Sequence, residues 1–242
     1  MGKQLIIKIL LIFFLTTNSL LAGEIYFYIG SAFIKPAKEI AKLYEKSHKN
    51  SNVLIISGGS KILLQKILLS KKGDIYLPGA ELYKTLAEKK GIVLFSKDFI
   101  KQIPVFALSK RGEKKIFSFK DLCKKNIKIA LGNENTMALG KIYVKIKEKF
   151  PDRISECIEK NCVIKGTNVA QIANYIKMNI VDAGVVFESV ANLFKFKIIN
   201  IPEKYNVVDK APLILLKFSK NKSFFNFIIK NKMIFEKYGY KC

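Results

Sequence analysis

The sequence predicts an α/β protein with two lobes, because strand-like runs alternate with helical patterns along most of the chain. Strands that alternate with helices in this way form parallel sheets through right-handed crossovers. Glycine and serine follow several of the strand-like runs, at the edge of the sheet where open α/β folds bind ligands. The chain has 242 residues, half of them hydrophobic, which is enough to build two small cores.

Three strand–helix units make up the first part of the predicted fold. The predicted strands cover residues 25–29, 53–56 and 74–77. Apolar residues at helical spacing follow each strand, over residues 33–47, from Lys61 onward, and over residues 80–89. Pro78 and Gly79 separate the third strand from its helix.

The middle of the chain repeats this alternation as a second unit. Predicted strands cover residues 105–108, 127–131, 163–165 and 183–187, and predicted helices cover residues 139–150, 169–177 and 188–194. A strand at residues 213–217 and helices at 224–229 and 233–238 follow. No proline-rich linker separates the units, so we expect the chain to cross between them near Pro104 and Val207. The predicted lobes are residues 23–104 plus 207–242, and residues 105–206.

Residues 1–22 have the pattern of a secretory signal peptide. Lys3 and Lys8 accompany a short apolar core, and Ala22 is the small residue expected before the cleavage site. A membrane span needs roughly 20 apolar residues, which this core does not reach, although an uncleaved anchor is the alternative. No cysteine follows the core, so we do not expect a lipid-modified start. The sequence therefore predicts an exported protein.

The formal net charge is +24, which is compatible with anion capture or with nucleic-acid binding. The lysines are scattered over the polar faces instead of forming one basic arm. A general bias toward lysine, isoleucine, phenylalanine and asparagine explains the charge better. Export from the cytoplasm argues against a nucleic-acid partner. The charge would help anion capture but is not evidence for it.

Four cysteines allow two disulfides in three pairings, which an oxidising compartment would permit. Cys157 and Cys162 are close enough in sequence to close a local turn, so this pairing is the predicted one, with Cys123 and Cys242 left over. His48 is the only histidine and no Cys-x-x-Cys motif occurs, so a zinc site is poorly supported.

Three loops place small residues between the end of a predicted strand and the start of a helix. They are Gly30-Ser31-Ala32, Ser57-Gly58-Gly59-Ser60 and Thr167-Asn168. Helix starts expose unpaired backbone N–H groups and carry partial positive charge, so convergence of the three loops would make an anion cleft. The alternative is that each loop is an ordinary helix cap, for which serine, threonine and asparagine are favoured anyway.

An ordered set of short motifs resembles the periplasmic molybdate-binding proteins. Gly30-Ser31-Ala32-Phe33 with Lys35-Pro36, Ser57-Gly58-Gly59-Ser60 with Leu63-Leu64-Gln65, and Gly73-Asp74-Ile75-Tyr76 carry the first half of the resemblance. Ile129-Ala130-Leu131-Gly132-Asn133, Asp182-Ala183-Gly184-Val185-Val186-Phe187 and the closing residues 234–240 carry the second half. Each motif is weak by itself, and the resemblance rests on their order along nearly the whole chain.

This resemblance implies a type II periplasmic-binding-protein fold whose two lobes, joined by crossover strands, close on molybdate or tungstate. The ligand would be held by neutral hydroxyl and N–H donors, without a cofactor. By position these donors are the Ser31 hydroxyl or Ala32 amide, the Ser60 hydroxyl and amide, and the amides of Leu139 and Val169. Phe187 stands where many members have a ligand-binding tyrosine. The resemblance further implies a periplasmic monomer that delivers the anion to an integral-membrane ABC transporter permease.

Several alternatives remain open at the level of sequence. Glu188 is either a helix-start carboxylate that faces solvent or a metal ligand beside the anion. Another solute, sulfate or iron(III), is the second reading, and for iron(III) the tyrosines at positions 28, 76 and 83 are the candidate ligands. A serine-dependent hydrolase is a third reading, suggested by Ser60 and Lys61. Adjacent residues at a helix start point in different directions, however, and no Ser-x-x-Lys motif in a matching context supports catalysis.

Overall fold

The computed structural model of the protein describes residues 23–242, which fold into two five-stranded sheets. The first sheet contains β1 (Gly23–Gly30), β2 (Ser51–Gly58), β3 (Ile75–Leu77), β4 (Val93–Gln102) and β10 (Asp209–Leu216). The second contains β5 (Pro104–Leu108), β6 (Ile129–Gly132), β7 (Cys162–Gly166), β8 (Ala183–Phe187) and β9 (Lys197–Asn200). The predicted signal peptide, residues 1–22, lies outside the described residues.

Helices cover the sheets and give each of them its own lobe. The first lobe carries α1 (Ile34–Ser47), α2 (Ser60–Ser70), α3 (Leu82–Lys89), α8 (Lys222–Lys230) and α9 (Met233–Lys237). The second carries α4 (Ala138–Lys147), α5 (Asp152–Asn161), α6 (Val169–Lys177) and α7 (Glu188–Leu193). Short 3₁₀ turns occupy Ser31–Phe33, Gly112–Lys114 and Phe119–Cys123. Among residues 23–242, no helix has the length and apolar character to cross a bilayer.

Both sheets are mixed, which corrects the prediction of parallel sheets. The strand orders are β2-β1-β3-β10-β4 and β7-β6-β8-β5-β9. The pairs among β1, β2 and β3 and among β6, β7 and β8 are parallel, whereas β10 and β5 run antiparallel to their neighbours. The chain passes from β4 to β5 through Ile103 and returns to the first sheet through residues 201–208. The chain leaves the first sheet along β4 and returns to it along β10. These two neighbouring strands therefore run in opposite directions and pair antiparallel.

Three elements were not predicted from the sequence: β4, β9 and α5. The first is an edge strand whose Leu94 and Phe95 remain 62% and 55% exposed, so its side chains follow no clean alternation. The helix α5 buries a single residue, Ile158, which leaves too little apolar periodicity to recognise. In both cases tertiary contacts, and not local pattern, determine the structure.

Aromatic side chains fill the first core between β1 and the helices. The Phe27 ring on β1 meets Phe224 of α8 edge to face, with 5.6 Å between centroids. Tyr44 of α1 lies 4.7 Å from the same Phe224 ring, and its hydroxyl bonds Ser223 at 2.6 Å. Each fully buried aromatic side chain stabilises the fold by about 1.5–3 kcal/mol, so this cluster ties the C-terminal segment to the first sheet.

The disulfide joins Cys123 to Cys157, with 5.2 Å between their Cα atoms, and the predicted pairing of Cys157 with Cys162 is wrong. Cys157 lies on α5 and faces the 3₁₀ turn that ends at Cys123. Cys162 comes five residues later, where the helix has ended, and five helical residues correspond to a rotation of about 140°. Cys162 and Cys242 are free, and burial raises the pKa of the Cys242 thiol to about 12.

Replacement of Cys123 by serine should lower the free energy of unfolding by about 2–4 kcal/mol, because the bridge closes a loop of 34 residues in the unfolded chain. Urea denaturation of the oxidised protein measures this change, and Cys162→Ser is the matched control that breaks no bridge. Peptide mapping without reduction should recover the two peptides that contain Cys123 and Cys157 as one species. A linked peptide containing Cys157 and Cys162 would contradict the pairing.

Candidate functional site

The candidate site is a small cavity between the two lobes, at the carboxyl ends of the central strands. The volume of the cavity that the centre of a water molecule can occupy is about 20 Å³. On the same measure a single water needs about 10–15 Å³, so the cavity is little larger than one water requires. The lining residues are all electrically neutral: Gly30, Ser31, Ala32, Phe33, Gly58, Gly59, Ser60, Gly79, Met137, Ala138, Leu139, Asn168, Val169 and Phe187. A compact ligand of a few atoms is the size that fits.

Helix starts from both lobes point into this cavity. α2 starts at Ser60, α4 at Ala138 and α6 at Val169, and the first residues of all three line the cavity wall. Backbone N–H groups in the first turn of a helix have no acceptor within the helix and carry the positive end of its dipole. Three such helix starts make the cavity electropositive although no charged side chain of residues 23–242 lines it.

Ser60 is buried at the start of α2, and its hydroxyl oxygen accepts a hydrogen bond from the Gly79 N–H at 3.0 Å. A serine hydroxyl has one hydrogen to donate and two lone pairs. Because one lone pair is used by Gly79, the hydroxyl hydrogen is directed elsewhere, and it meets no acceptor in residues 23–242. Ser60 is therefore arranged as a donor to whatever occupies the cavity.

Ser31 has the same arrangement, but its partner comes from the other lobe. The Ser31 hydroxyl oxygen accepts a hydrogen bond at 3.2 Å from the backbone N–H of Ala170 on α6. The side chain is buried, and its hydrogen likewise has no acceptor in the described part of the chain. This contact joins the two lobes and leaves a second hydroxyl donor at the cavity wall.

Two glycines bring the backbones of the lobes into direct contact. A Cβ atom on Gly59 would lie 2.5 Å from the carbonyl oxygen of Thr136 and 2.7 Å from that of Thr167, both in the second lobe. A Cβ atom on Gly79 would lie 3.1 Å from the Cβ of Ala138. The lobes are therefore closed on each other. At Gly59 their backbones are so close that a residue with a Cβ atom would not fit.

Part of the cavity wall is apolar. Phe187 is 1% exposed and ends β8, and its ring edge faces Gly79, where an added Cβ would lie 3.9 Å from Cε2. Met137 and Ala138 lie beside it. A ligand in the cavity thus meets carbon atoms as well as possible donors.

Buried tyrosines hold the donor loops from behind. The Tyr76 hydroxyl on β3 donates to the Ser60 carbonyl at 2.7 Å, and burial raises the pKa of Tyr76 well above its usual value. The Tyr240 hydroxyl donates to the carbonyl of Ala32, and burial also raises the Tyr240 pKa. Both phenols stay protonated under ordinary conditions, so these donors persist and keep the two loops fixed.

Glu188 begins α7 but is directed away from the cavity, because its carboxylate pairs with Lys241 at 2.8 Å. Its backbone N–H donates to the Ile103 carbonyl at 2.8 Å, which ties α7 to the point where the chain crosses between the sheets. Tyr28, Tyr76 and Tyr83 are buried, and none of them lines the cavity. Burial raises the pKa of Tyr83 to about 12. Within residues 23–242, no three His, Cys, Asp or Glu side chains are grouped as a metal site would need.

The structure brings all six residues named from the sequence to one cavity: Ser31, Ala32, Ser60, Leu139, Val169 and Phe187. Asn168 caps α6 by accepting from the Gln171 N–H at 3.0 Å, as the ordinary-cap alternative expected. Sequence reasoning did not name Gly79, Met137 or Ala138. The only signal for Gly79 was the Pro78-Gly79 break after β3, and nothing local marks the other two.

A comparison with known protein families matches residues 25–241 to the bacterial extracellular solute-binding proteins. The two closed lobes and the neutral cavity between them are features of a solute-binding protein, and the chain belongs to this family. A protein of Haemophilus influenzae named as a binding protein is 31% identical over 205 residues, covering 85% of this chain and 82% of the relative. A Bacillus subtilis protein named as an ABC transporter substrate-binding lipoprotein is 27% identical over 223 residues, covering 84% and 80%.

Solved structures confirm the predicted fold class, since periplasmic binding proteins superpose on both lobes. The Azotobacter vinelandii periplasmic molybdate-binding protein has a TM-score of 0.74 at 17% identity, covering 90% of this chain and 99% of that one. The sulfate-binding protein of Mycobacterium tuberculosis has a TM-score of 0.75 at 13% identity, covering 90% and 86%. An iron-bound protein of Pseudomonas aeruginosa has a TM-score of 0.64 at 14% identity, covering 87% and 83%. At these identities the likeness shows the fold and not the ligand.

Replacement of Gly59 by alanine should hold the lobes apart, because the new methyl group would overlap the Thr136 and Thr167 carbonyls. With a candidate oxyanion present, small-angle X-ray scattering should give a larger radius of gyration for Gly59→Ala than for the parent protein. Gly23→Ala is the control, since its Cβ would meet nothing within 4 Å. An unchanged radius for Gly59→Ala would show that this contact does not limit closure.

Proposed function

We propose that this protein captures a small tetrahedral oxyanion between its lobes and delivers it to a transporter. One observation carries the proposal: the hydroxyls of Ser31 and Ser60 already accept from backbone N–H groups and can only donate into the cavity. A ligand facing two such hydroxyls and several helix starts must be an acceptor on many sides, as an oxyanion is. Fixed dipoles stabilise such an anion without the cost of burying a counter-charge.

Molybdate or tungstate is the ligand we propose first. The order of sequence motifs supports it, and so does the fold shared with a molybdate-binding protein. Sulfate is the alternative, given the similar fold of a sulfate-binding protein, and cavity size would decide between these anions. Phe187 supplies no hydroxyl to the anion, so the donor set is the two serines with the amides of Ala32, Ser60, Leu139 and Val169.

Iron(III) is disfavoured by the chemistry of the cavity lining. Metal cations in proteins take carboxylate, imidazole, thiolate or phenolate ligands, and the cavity lining offers none of them. Glu188, the carboxylate nearest in sequence to Phe187, is engaged by Lys241. An iron site would require this ion pair to break and the buried tyrosines to move.

Binding, and not catalysis, is the activity that the site supports. The cavity holds no histidine, carboxylate or lysine to act as a general base for Ser60, and the side chain of Lys61 is not part of the lining. The relatives named as binding proteins agree with this reading. The serine-dependent hydrolase stays the less favoured alternative.

The transport cycle follows from the two-lobed fold. We propose lobes of residues 23–104 plus 207–242 and of residues 105–206, which open and close by bending where the chain crosses between the sheets. The anion favours the closed form through donors from both lobes, and the closed surface docks on an integral-membrane ABC permease. The family membership and the signal-like residues 1–22 support export to the periplasm, where the protein would act as a monomer.

Replacement of Ser60 by alanine should weaken oxyanion binding by about 1–3 kcal/mol, because a buried charged acceptor loses a donor. Calorimetric titration measures the loss. Ser70→Ala, at the exposed far end of the same helix, makes the same chemical change outside the cavity and should leave the affinity unaltered. Equal affinity in Ser60→Ala and the parent protein would remove Ser60 from the site.

Titration of the exported protein with molybdate, tungstate and sulfate should show tight binding of at least one anion. The affinity should be constant between about pH 6 and pH 8, where histidine is the side chain that normally titrates, because no titratable side chain of the described residues lines the cavity. Affinity that falls as the pH rises would reveal a cationic group at the anion and would contradict the neutral-donor site.

A further inference from the structure

The second lobe carries a basic surface at the edge of its sheet that faces away from the anion cavity. β5 begins beside the cavity, where Pro104 pairs with Phe187, and ends where Leu108 pairs with Ala183. Its five residues span about 13 Å, because a strand rises about 3.3 Å per residue. The chain that follows β5 therefore starts at the opposite edge of the sheet. We call this region the distal surface, and the segments that form it are residues 109–128, 177–182 and 195–197.

Direct contacts join these three segments into one continuous surface. The backbone N–H of Arg111 donates to the Asn179 side-chain oxygen at 3.0 Å, and its guanidinium group pairs with Asp182 at 2.7 Å. The ammonium group of Lys197 lies 5.8 Å from the centre of the Phe117 ring. Groups from all three segments are thus available to a single partner.

The distal surface has an excess of positive charge. Eight of the 20 residues from 109 to 128 are lysine or arginine, against 43 of 242 in the whole chain. The acidic side chains Glu113, Asp121 and Asp182 are each paired with a basic side chain at 2.7–2.9 Å. Five exposed lysines form no ion pair with any of residues 23–242: Lys114, Lys120, Lys125, Lys128 and Lys197. Their charge lies across the lobe from the cavity, so it is available to a second anionic partner.

Large apolar side chains project among these lysines. Phe117, Met178 and Ile180 are 66%, 69% and 44% exposed. The Phe117 ring lies beside two ammonium groups, those of Lys124 and Lys197, at 5.9 and 5.8 Å from its centre. A free anion would use only the charge of this surface. A membrane surface matches both features, because its phosphate groups attract lysine and its interfacial layer accepts aromatic and apolar side chains.

We propose that the distal surface binds membranes that contain anionic phospholipids. The lysines lie at the head groups, and the tips of Phe117 and Met178 enter the interfacial layer. In this orientation the anion cavity is on the side of the lobe away from the membrane, so solute can still reach it from solution. The inference goes beyond oxyanion capture and does not depend on which ligand the cavity takes.

The first test is co-sedimentation of the exported protein with phosphatidylcholine vesicles that contain about one third phosphatidylglycerol. Each lysine close to such a surface strengthens binding about fivefold. The triple variant Lys120→Gln, Lys125→Gln, Lys197→Gln should therefore bind roughly a hundredfold more weakly than the parent protein.

The matched control removes the same charge from helix α1 of the first lobe. Lys38, Lys42 and Lys46 are exposed there, one helical turn apart, and form no ion pair with the described residues. Their joint replacement by glutamine lowers the net charge equally, but it leaves the distal surface intact. Vesicle binding should fall no more than a few-fold in this variant.

A fluorescence measurement locates the contact. The chain contains no tryptophan, so Phe117→Trp introduces a single fluorophore at the distal surface. Its emission should shift to shorter wavelength when anionic vesicles are added, because tryptophan enters the membrane interface. Leu69→Trp, at a position that is 86% exposed in the first lobe, should show no such shift.

The outcomes separate a membrane-binding surface from general attraction by a basic protein. Equal losses in the two triple variants, or equal emission shifts at positions 69 and 117, would overturn the proposal. Failure to bind anionic vesicles would also overturn it, and binding of polyglutamate through the same lysines would then identify an acidic protein as the partner. Micromolar molybdate should leave vesicle binding unchanged, so oxyanion capture is tested separately and either proposal can fail alone.

Discussion

The site depends on one electrostatic constraint: a ligand that leaves water must find compensating partners, and the described residues around the cavity offer backbone dipoles and serine hydroxyls instead of charged side chains. Those dipoles become available because parallel strands deliver each following helix start to the same edge of the sheet. Ser60, Leu139 and Val169 line one cavity because β2, β6 and β7 end at the boundary between the lobes. The mixed sheets keep this property, since the reversed strands β5 and β10 supply the connection between lobes and none of these three helix starts.

The charged side chains of the described residues are therefore separate from the residues that line the cavity. The formal charge of +24 is carried by side chains outside the cavity, and in the part of the chain that the structure describes no lysine or arginine lines it. Long-range attraction can raise the rate at which anions arrive, and the screening of surface charge by salt would reduce that rate. In the function proposed above, neutral donors of fixed geometry would then determine which anion stays.

Local pattern was sufficient for much of the fold because its central strands are short buried runs followed by glycine or serine. It was insufficient at the periphery, where β4 exposes Leu94 and Phe95 and α5 buries only Ile158. The cavity-lining serines were predictable because small residues at a helix start leave its unpaired N–H groups open to a ligand. Gly79 and Met137 were not, since their place in the cavity results from how the lobes meet. The disulfide failed for the same reason: Cys157 finds Cys123 through tertiary packing across 34 residues, and nearness in sequence to Cys162 was misleading.

The hydrogen bond from the Tyr240 hydroxyl to the Ala32 carbonyl has a consequence for the order in which the protein folds. Ala32 is among the first residues of the folded lobes to be synthesised, and Tyr240 is among the last. The Ser31–Phe33 turn therefore lacks this support until the C-terminal segment has docked. A chain that ended before Tyr240 would keep all ten strands of the described region. It would lose the hydrogen bond that holds the Ser31–Phe33 turn in place. Ligand binding would thus depend on a docked C-terminal segment, and an affinity tag placed close behind Tyr240 would disturb the loop that this tyrosine supports.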